Sequence, residues 1–358
     1  MTMTGPTGIS AITRRRVLTG LLAGAGTVAA SSARAQRGGR GNSPSPRPIA
    51  ITARPIAHFD RSQPNTARFG DLEFRGGLVL SSPESDFGGW SGLIMEGDGS
   101  SLLAVSDAGA WLSADVSYES ARPTALVRAN MGWLSALSGA RLEDKREQDA
   151  ESATLLDGNL QRGTLLIGFE RLHRIGRFGI RDRVPQVPSG YMRLPAEARS
   201  MQRNQGLEAI AVLQSGPLRG SVVGFAERFT RGSGYHTGWI WVRGVPQRFQ
   251  LKDIDEFNIT DAAALPDGGL LVLERHFRWT SGVKMRIRRL EAKEIAPGAR
   301  ITGRVLIEAD SRHQIDNMEG IAVHRGPSGE TVVSIVSDDN FNRLLQRTVL
   351  LQFALAGE

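Results

Sequence analysis

The sequence predicts an all-β protein folded as a β-propeller, and three observations lead to that prediction. Beyond about residue 48, the 3.6-residue period of a helix is nearly absent, and short apolar runs bounded by Gly, Asp, Pro and Ser recur instead. Five of these runs resemble one another. The strand expected before each run begins near Ser91, Glu151, Glu208, Asp261 and Glu319, at intervals of 60, 57, 53 and 58 residues. Such a period leaves room for the four strands of a propeller blade.

The composition is that of a folded protein without thiol chemistry. The chain has 358 residues, of which 40% are hydrophobic and none is Cys. Disulfides, cysteine-ligated zinc, iron–sulfur clusters and thiol catalysis are therefore excluded. The net charge is +7, but residues 1–35 hold four Arg and no acid, so their removal leaves +7 − 4 = +3. We therefore expect no nucleic-acid partner.

Residues 1–35 are predicted to be a twin-arginine signal peptide. The pair Arg14-Arg15 precedes a short apolar stretch at 21–30, and Ala33-Arg34-Ala35 fits a cleavage site. The apolar stretch is too short and too rich in Gly to span a membrane. We therefore expect export by the twin-arginine translocase, cleavage near Ala35, a periplasmic or secreted protein and no stable membrane insertion.

Residues 36–68 are predicted to be a disordered linker and the segment that leads into the propeller, because 36–48 are rich in Arg, Gly, Ser and Pro. Residues 69–358 are predicted to form one propeller domain. The segment 71–80 precedes the first repeat and is expected to be the outer strand of the last blade, which would close the ring. The stretch 118–137 is poorly patterned and leaves a sixth, degenerate blade open. A β-sandwich is the alternative architecture, but it does not explain the repeat.

The five similar runs are predicted to be the second strand of each blade. They are apolar on both faces, so both faces must be covered, as in the middle of stacked sheets. The runs occupy residues 102–106, 165–169, 222–226, 270–273 and 332–336.

Acidic residues occur after each apolar run and at the start of most of the strands that precede the runs. An acid follows each run, directly or after one residue, at Asp107, Glu170, Glu227, Glu274 and Asp338. Four of the five preceding strands also begin with an acid, whereas the first begins with Ser91. Because the innermost strands of a propeller line its central channel, equivalent positions form a ring. Up to nine carboxylates are therefore expected near one axis, where they must be neutralised.

Two ways of neutralising these acids stay open. A hard, oxygen-loving divalent cation such as Ca²⁺ is one. The other is ion pairing with Arg171, Arg228 and Arg275, each of which directly follows an acid. These guanidinium groups also match the oxygens of an anionic substrate. His276, two residues beyond Glu274, is expected at the mouth of the channel as a proton-transfer group.

Several short motifs occur in order along the chain. They are GWSGL at 89–93, LAVSD at 103–107, NQGLEAI at 204–210, DGGLLVLER at 267–275, NMEGI at 317–321 and SDDNF at 337–341. With these motifs in this order, the sequence resembles the phytase-like family, whose domain is described as having esterase-like activity of phytase. The resemblance runs from about residue 69 to about residue 355.

The resemblance implies a secreted or periplasmic propeller that hydrolyses phosphate monoesters, with a small anionic ester as substrate. By analogy with β-propeller phytases, which hold substrate phosphates through Ca²⁺, it implies ring acids as metal ligands: Asp107, Glu208, Glu274, Glu319 and Asp338. Metal would polarise the ester and a carboxylate would act as base, with Glu208 and Glu319 as candidates. The alternatives are a sugar-lactonase type of propeller, which would also use Glu208 and Glu319, and a non-catalytic propeller that binds a ligand or partner.

Overall fold

The computed structural model describes residues 46–201, 206–226, 233–280 and 282–356 of the chain. The predicted signal peptide and the first part of the predicted linker lie outside the described residues, as do Glu227 and Arg228. Within these ranges, no helix has the length and apolar character needed to cross a bilayer.

Four strands precede the first repeat. They are β1 Arg47–Pro48, β2 Thr52–Ile56, β3 Arg68–Phe69 and β4 Leu72–Ser81. Each of them joins a sheet formed by later parts of the chain: β1 pairs with a strand of the first blade, and the other three belong to the last blade.

The repeats form five antiparallel blades in succession. Blade one contains β5 Trp90–Met95, β6 Ser101–Ser106, β7 Ala110–Glu119 and β8 Arg122–Trp133. Blade two contains β9 Ala150–Gly158, β10 Arg162–Phe169, β11 Arg174–Arg181 and β12 Val184–Tyr191. Blade three contains β13 Leu207–Val212, β14 Val222–Ala226, β15 Tyr235–Val242 and β16 Val245–Lys252.

Blades four and five complete the propeller. Blade four contains β17 Asn258–Ala264, β18 Leu270–Arg278, β19 Gly282–Leu290 and β21 Arg304–Ala309, while β20 Arg300–Ile301 joins the outer edge of blade three. Blade five contains β22 Asn317–Arg325, β23 Thr331–Asp338 and β24 Thr348–Leu355. A short helix, α1 Lys145–Gln148, connects blades one and two, and 3₁₀ turns lie at Ala196–Ser200 and Ala292–Glu294.

The described residues confirm the predicted β-propeller and give it five blades. The poorly patterned stretch 118–137 is not a sixth blade, because it supplies the end of β7 and all of β8 to blade one.

The N-terminal part of the chain closes the ring. Strand β4 pairs antiparallel with β24 from Leu80 opposite Thr348 to Leu72 opposite Leu355. It is therefore the fourth strand of blade five, as predicted for 71–80, and β2 adds a further strand outside it. The first and last parts of the chain are held together by one hydrogen-bonded ladder.

The core lies between the blades. Strands β6, β14 and β23 are buried at every position, because a neighbouring blade covers each face of these second strands. Val105 of blade one and Ile167 of blade two belong to one apolar cluster, and Leu273 of blade four and Ile335 of blade five belong to another. This packing explains why the five runs are apolar on both faces.

The first strand of each blade lies innermost. Strands β5, β9, β13, β17 and β22 contact one another in that order, and β22 also contacts β5. Five strands therefore surround a central axis, and side chains near their first residues can meet there.

Candidate functional site

A β-bulge lies near the start of every innermost strand. In each blade one residue is skipped by the ladder to the second strand: Ser91, Glu151, Glu208, Thr260 and Glu319. A bulge bends the strand and re-aims a side chain. Here the bulges turn three carboxylates, from Glu151, Glu208 and Glu319, toward one cavity at the end of the axis.

In blade four the structure shifts the predicted ring position by one residue, from Asp261 to Thr260. Thr260 occupies the bulge there, and its hydroxyl donates to the Met318 carbonyl at 3.2 Å. Asp261 lies one position further, is fully buried, and accepts a hydrogen bond from the Ile321 amide at 2.9 Å. Burial raises the pKa of this carboxyl well above its ordinary range, so Asp261 belongs to the seam between blades four and five.

The second strands also shift by one residue in blade four. In blade five, Asp338 pairs with Asn317, which lies two residues before the bulge at Glu319. In blade four, the residue that pairs two positions before the bulge is Arg275, opposite Asn258. Glu274 lies one position earlier, opposite Ile259. Blade four therefore gives the cavity a cation where its neighbour, blade five, gives an acid.

Seven carboxylates and two guanidinium groups from the described ranges line the cavity, which has a volume of about 260 Å³. The lining residues are Ser91, Asp107, Asp149, Glu151, Glu170, Arg171, Glu208, Arg275, Glu319, Asp338 and Asn340. The structure thus brings together four of the five predicted metal ligands, both predicted catalytic acids, and two of the three predicted substrate-binding Arg. The third, Arg228, lies outside the described residues.

Glu274 and His276 are the predicted site residues that the structure places elsewhere, and both expectations need correction. Glu274 is fully buried and ion-paired with the equally buried Arg288, on the opposite face of β18 from Arg275. Burial raises its pKa to about 7, although Arg288 opposes that rise. His276 stacks on Phe257 with ring centroids 5.2 Å apart, and burial lowers its pKa.

Among the described residues, three acids at blade two lie close enough together to share a metal ion. Asp149, Glu151 and Glu170 each direct one carboxylate oxygen into a common space, with these oxygens within 4.8 Å of one another. Asp149 is only 3% exposed and Glu170 only 9% exposed. Asp149 ends the α1 turn, Glu151 follows it at the bulge of β9, and Glu170 follows β10, so two backbone segments bring the three acids to one point.

Two cations partly neutralise this group. Lys145 Nζ lies 2.6 Å from Asp107 Oδ2 and 3.0 Å from Asp149 Oδ1. Arg171 Nε donates to Asp149 Oδ2 at 2.9 Å. On the opposite side of the cavity, Arg275 Nε lies 3.3 Å from Glu319 Oε1. Among the residues that the structure describes, seven acids face these three cations, so negative charge is in excess.

Burial, together with the excess of negative charge, raises the affinity of two cavity carboxylates for protons. The pKa of Glu151 is well above its ordinary range, first through burial and then through the charges of Asp149 and Glu319. Burial also raises the pKa of Asp338 to about 7, and the charges of Glu319 and Asp107 act in the same direction. Without another cation, the cavity therefore retains protons near neutral pH.

Two glycines let the chain approach these acids. A Cβ at Gly88 would lie within 3 Å of Asp339 Oδ1, and one at Gly89 within 3 Å of Asp107 Oδ1. Gly89 also has a φ of +67°, which side-chain-bearing residues rarely adopt. The Gly89 amide donates to Asp339 Oδ1 at 3.2 Å, so this turn connects blade five to blade one at the rim of the cavity.

Sequence reasoning missed Asp149, Lys145 and Asn340 as parts of this site. Asp149 precedes Glu151 by two residues and Lys145 precedes Asp149 by one helical turn, so the acidic and basic run from 143 to 151 carried a local signal. The sequence carries no comparable signal for Asn340, because its place at the cavity depends on a backbone φ of +48° that only the structure reveals.

The donor set fits a divalent cation. Asp149, Glu151 and Glu170 offer carboxylate oxygens alone, which are the ligands that Ca²⁺ and Mg²⁺ prefer. Seven carboxylates line the cavity against three nearby cations, Lys145, Arg171 and Arg275, so negative charge remains in excess among the described residues. A bound cation would offset that excess.

Comparison with known families identifies the chain. The family model described as phytase-like, esterase-like activity of phytase, matches residues 85–341, which is more than half of the sequence. The chain belongs to this phytase-like family. The matched region begins just before the Gly88-Gly89 turn and ends at Phe341, so it contains every described residue of the cavity lining.

Other comparisons add little to this assignment. No curated protein matches the phytase-like chain. Among solved structures, the β-propeller domain of Cps50 (Swd1) from Myceliophteria thermophila is similar, with 11% identity and a TM-score of 0.38 over 87% of this chain and 98% of that chain. A likeness at that level has no bearing on function.

Proposed function

We propose that this phytase-like propeller is a metal-assisted ester hydrolase that acts on small anionic esters, with phosphate monoesters favoured. The observation that carries the proposal is the cavity in which the Asp149, Glu151 and Glu170 carboxylates converge, with Arg171 and Arg275 beside them. Hard oxygen ligands suit a divalent cation, and guanidinium groups suit the oxygens of an anion.

Asp149, Glu151 and Glu170 would hold the cation, with Glu208, Glu319, Asp107 and Asp338 in reach of the same cavity. We favour Ca²⁺, because the donors are all carboxylates and Ca²⁺ accepts many oxygen ligands in a flexible geometry. When bound, such an ion polarises an ester oxygen and lowers the pKa of water.

The side chains of the protein supply binding and proton transfer. Arg275 is held by Glu319 and Asn317, so its guanidinium is fixed at the cavity, where it would bind the anionic group of a substrate. Arg171 faces it from blade two. Asp338 is the candidate acid that would supply a proton to the leaving alcohol, whereas Glu208 and Glu319 are the candidate bases.

The proposal includes the predicted compartment. A periplasmic or secreted enzyme, exported by the twin-arginine translocase and cleaved near Ala35, would meet both small anionic esters and divalent cations outside the cytoplasm. The support for this part is the pattern of residues 1–35.

Metal analysis and an ester panel test the proposal together. The purified chain is assayed on phosphate monoesters, a carboxylester and a lactone, each with Ca²⁺ and with chelator. Glu151→Gln removes one carboxylate while keeping its shape, so Ca²⁺ affinity should fall by at least about tenfold and phosphoester turnover by a larger factor.

Glu256→Gln is the matched control, because Glu256 is 75% exposed and lies outside the cavity lining. It should leave Ca²⁺ affinity and turnover unchanged. Preferential turnover of the lactone would favour the lactonase type. Ca²⁺ binding without turnover of any ester would leave a binding propeller, and the absence of both would refute the proposal.

A further inference from the structure

The hairpin of β18 and β19 extends further than its counterparts in blades one, two and five. Strand β18 ends at Arg278, three residues beyond Arg275, which lines the cavity. Strands β6 and β10 end one residue before the corresponding position, and β23 ends at it. The end of this hairpin in blade four therefore projects beyond Arg275 at the edge of the cavity, and we call it the aromatic wall.

The aromatic side chains of this hairpin continue the face that bears Arg275. Alternate residues of a strand share a face, so Phe277 lies on the same face as Arg275, about 6 to 7 Å further along. His276 occupies the other face, where it stacks on Phe257. Trp279 follows at the tip, and its ring meets that of Phe277 edge to face at 5.5 Å. Arg275 and Phe277 therefore follow each other on one face of β18, and Trp279 contacts Phe277 at the tip of the hairpin.

Both rings are open to solvent. Phe277 is 50% exposed and Trp279 is 94% exposed. Exposed apolar patches mark sites of interaction, among them ligand-binding grooves, and aromatic rings contribute large contact areas there. Because Phe277 lies on the strand face that bears Arg275, the chemistry of the ligand follows: an anionic group at the guanidinium, and a ring attached to it that reaches Phe277.

We infer that Phe277 and Trp279 bind the alcohol portion of the substrate and select anionic esters of ring-bearing alcohols over those of short alkyl alcohols. This inference rests on the proposed function of the same cavity. An ester oxygen near Arg275 places its substituent along the strand, and the two-residue spacing of about 6 to 7 Å accommodates one six-membered ring. Stacking on Phe277 and Trp279 then holds that ring.

The test compares phenyl phosphate with methyl phosphate on the full chain loaded with Ca²⁺. In Phe277→Ala and Trp279→Ala, the ratio of kcat/KM for phenyl phosphate to that for methyl phosphate should fall by about three- to tenfold, the size expected from loss of an aromatic contact. Leu344→Ala is the matched control, because Leu344 is 96% exposed at the loop after β23 but does not lie on β18. It should leave the ratio unchanged.

Calorimetry with phenylphosphonate and methylphosphonate separates this inference from the proposed function. If neither phosphate ester is hydrolysed but phenylphosphonate binds more tightly, and Phe277→Ala and Trp279→Ala abolish that preference, the hydrolase proposal fails and the selection by the aromatic wall stands. Equal affinity of the wild type for both phosphonates, or a preference that survives both substitutions, overturns the inference.

Discussion

At the scale of single residues, the cavity is defined by carboxylates that the surrounding structure leaves short of positive charge. Asp338 is 6% exposed and accepts a hydrogen bond from the Asn340 amide at 2.6 Å. That bond favours the ionised form, but burial outweighs it, and nearby Glu319 and Asp107 add to the rise in the pKa. Each such acid makes the folded protein bind protons that the unfolded chain would release.

The stability of the metal-free protein should therefore depend on pH. The pKa of Asp338 rises from 3.8 to about 7 on folding. Because the folded state then binds more protons than the unfolded chain, the free energy of unfolding should fall as pH increases between these values and level off above them. Asp338→Asn should remove about 4 kcal/mol of that fall at most. Chemical denaturation in chelator at a series of pH values measures it.

Asp98→Asn provides the contrast for that experiment. Hydrogen bonds from Ser100 lower the pKa of Asp98, which places its titration below the same pH window. The substitution should leave the fall between about pH 4 and pH 7 unchanged. An Asp338→Asn protein with the full wild-type fall would show that Asp338 is ionised in the folded state.

At the scale of strands and turns, the bulges and the glycine turn decide which side chains reach the cavity. Each bulge adds one residue to an innermost strand and changes the face that the following residues present. The Gly88-Gly89 turn then allows backbone from blade one to lie against Asp107 and Asp339. The geometry of the site is therefore a property of backbone irregularities as much as of acidic residues.

Gly89→Ala should test how tightly that turn is constrained. The added Cβ meets Asp107 Oδ1 and the φ of +67° is unfavourable for Ala, so we expect a loss of stability of about 2 kcal/mol or more and weaker Ca²⁺ binding. Gly216→Ala has the backbone cost alone, because its φ is +77° and no described atom lies within 4 Å of the new Cβ. Equal destabilisation of the two variants, measured by thermal melts, would contradict a tight contact at Gly89.

The sequence pattern locates the elements better than it locates the side chains. The predicted second strand at 222–226 coincides with β14, and the predicted first-strand starts fall within three residues of those observed. The apolar runs depend on burial, which every blade repeats. A bulge depends on one skipped backbone pair, which leaves no such periodic signal. For that reason the pattern aligns Glu274 and Asp261 one residue away from Arg275 and Thr260, which take the ring positions.

At the scale of the whole molecule, the ring depends on the pairing of β4 with β24. Eight residue pairs join these strands, from Leu72–Leu355 to Leu80–Thr348. Within the described residues, β4 is the strand that completes blade five beyond β24. The cavity needs this closure, because Asp107 comes from blade one and Asp338 from blade five.

A chain that begins at residue 82 should therefore fail to form the native propeller. Without β4, the edge of β24 is unpaired and the apolar contacts of Leu78 and Phe74 are lost, so we expect no cooperative thermal transition and no Ca²⁺ binding. A chain that begins at residue 46 keeps β1 to β4 and should melt like the full chain. A cooperative melt of the shorter chain near the wild-type temperature would show that closure is dispensable.

The same closure sets a constraint on how the protein is made. Leu72 can pair only after Leu355 has been synthesised, which is 355 − 72 = 283 residues later. At typical translation speeds, synthesis of that stretch takes roughly 15 to 60 s. During synthesis β4 is an open edge with free backbone donors and acceptors, and such edges attract other strands. Glu73 and Arg75 place charges on that strand, which disfavours wrong pairing with an apolar strand. The ring becomes native only after Leu355 has been synthesised, and a chain released before that point would expose this edge to aggregation.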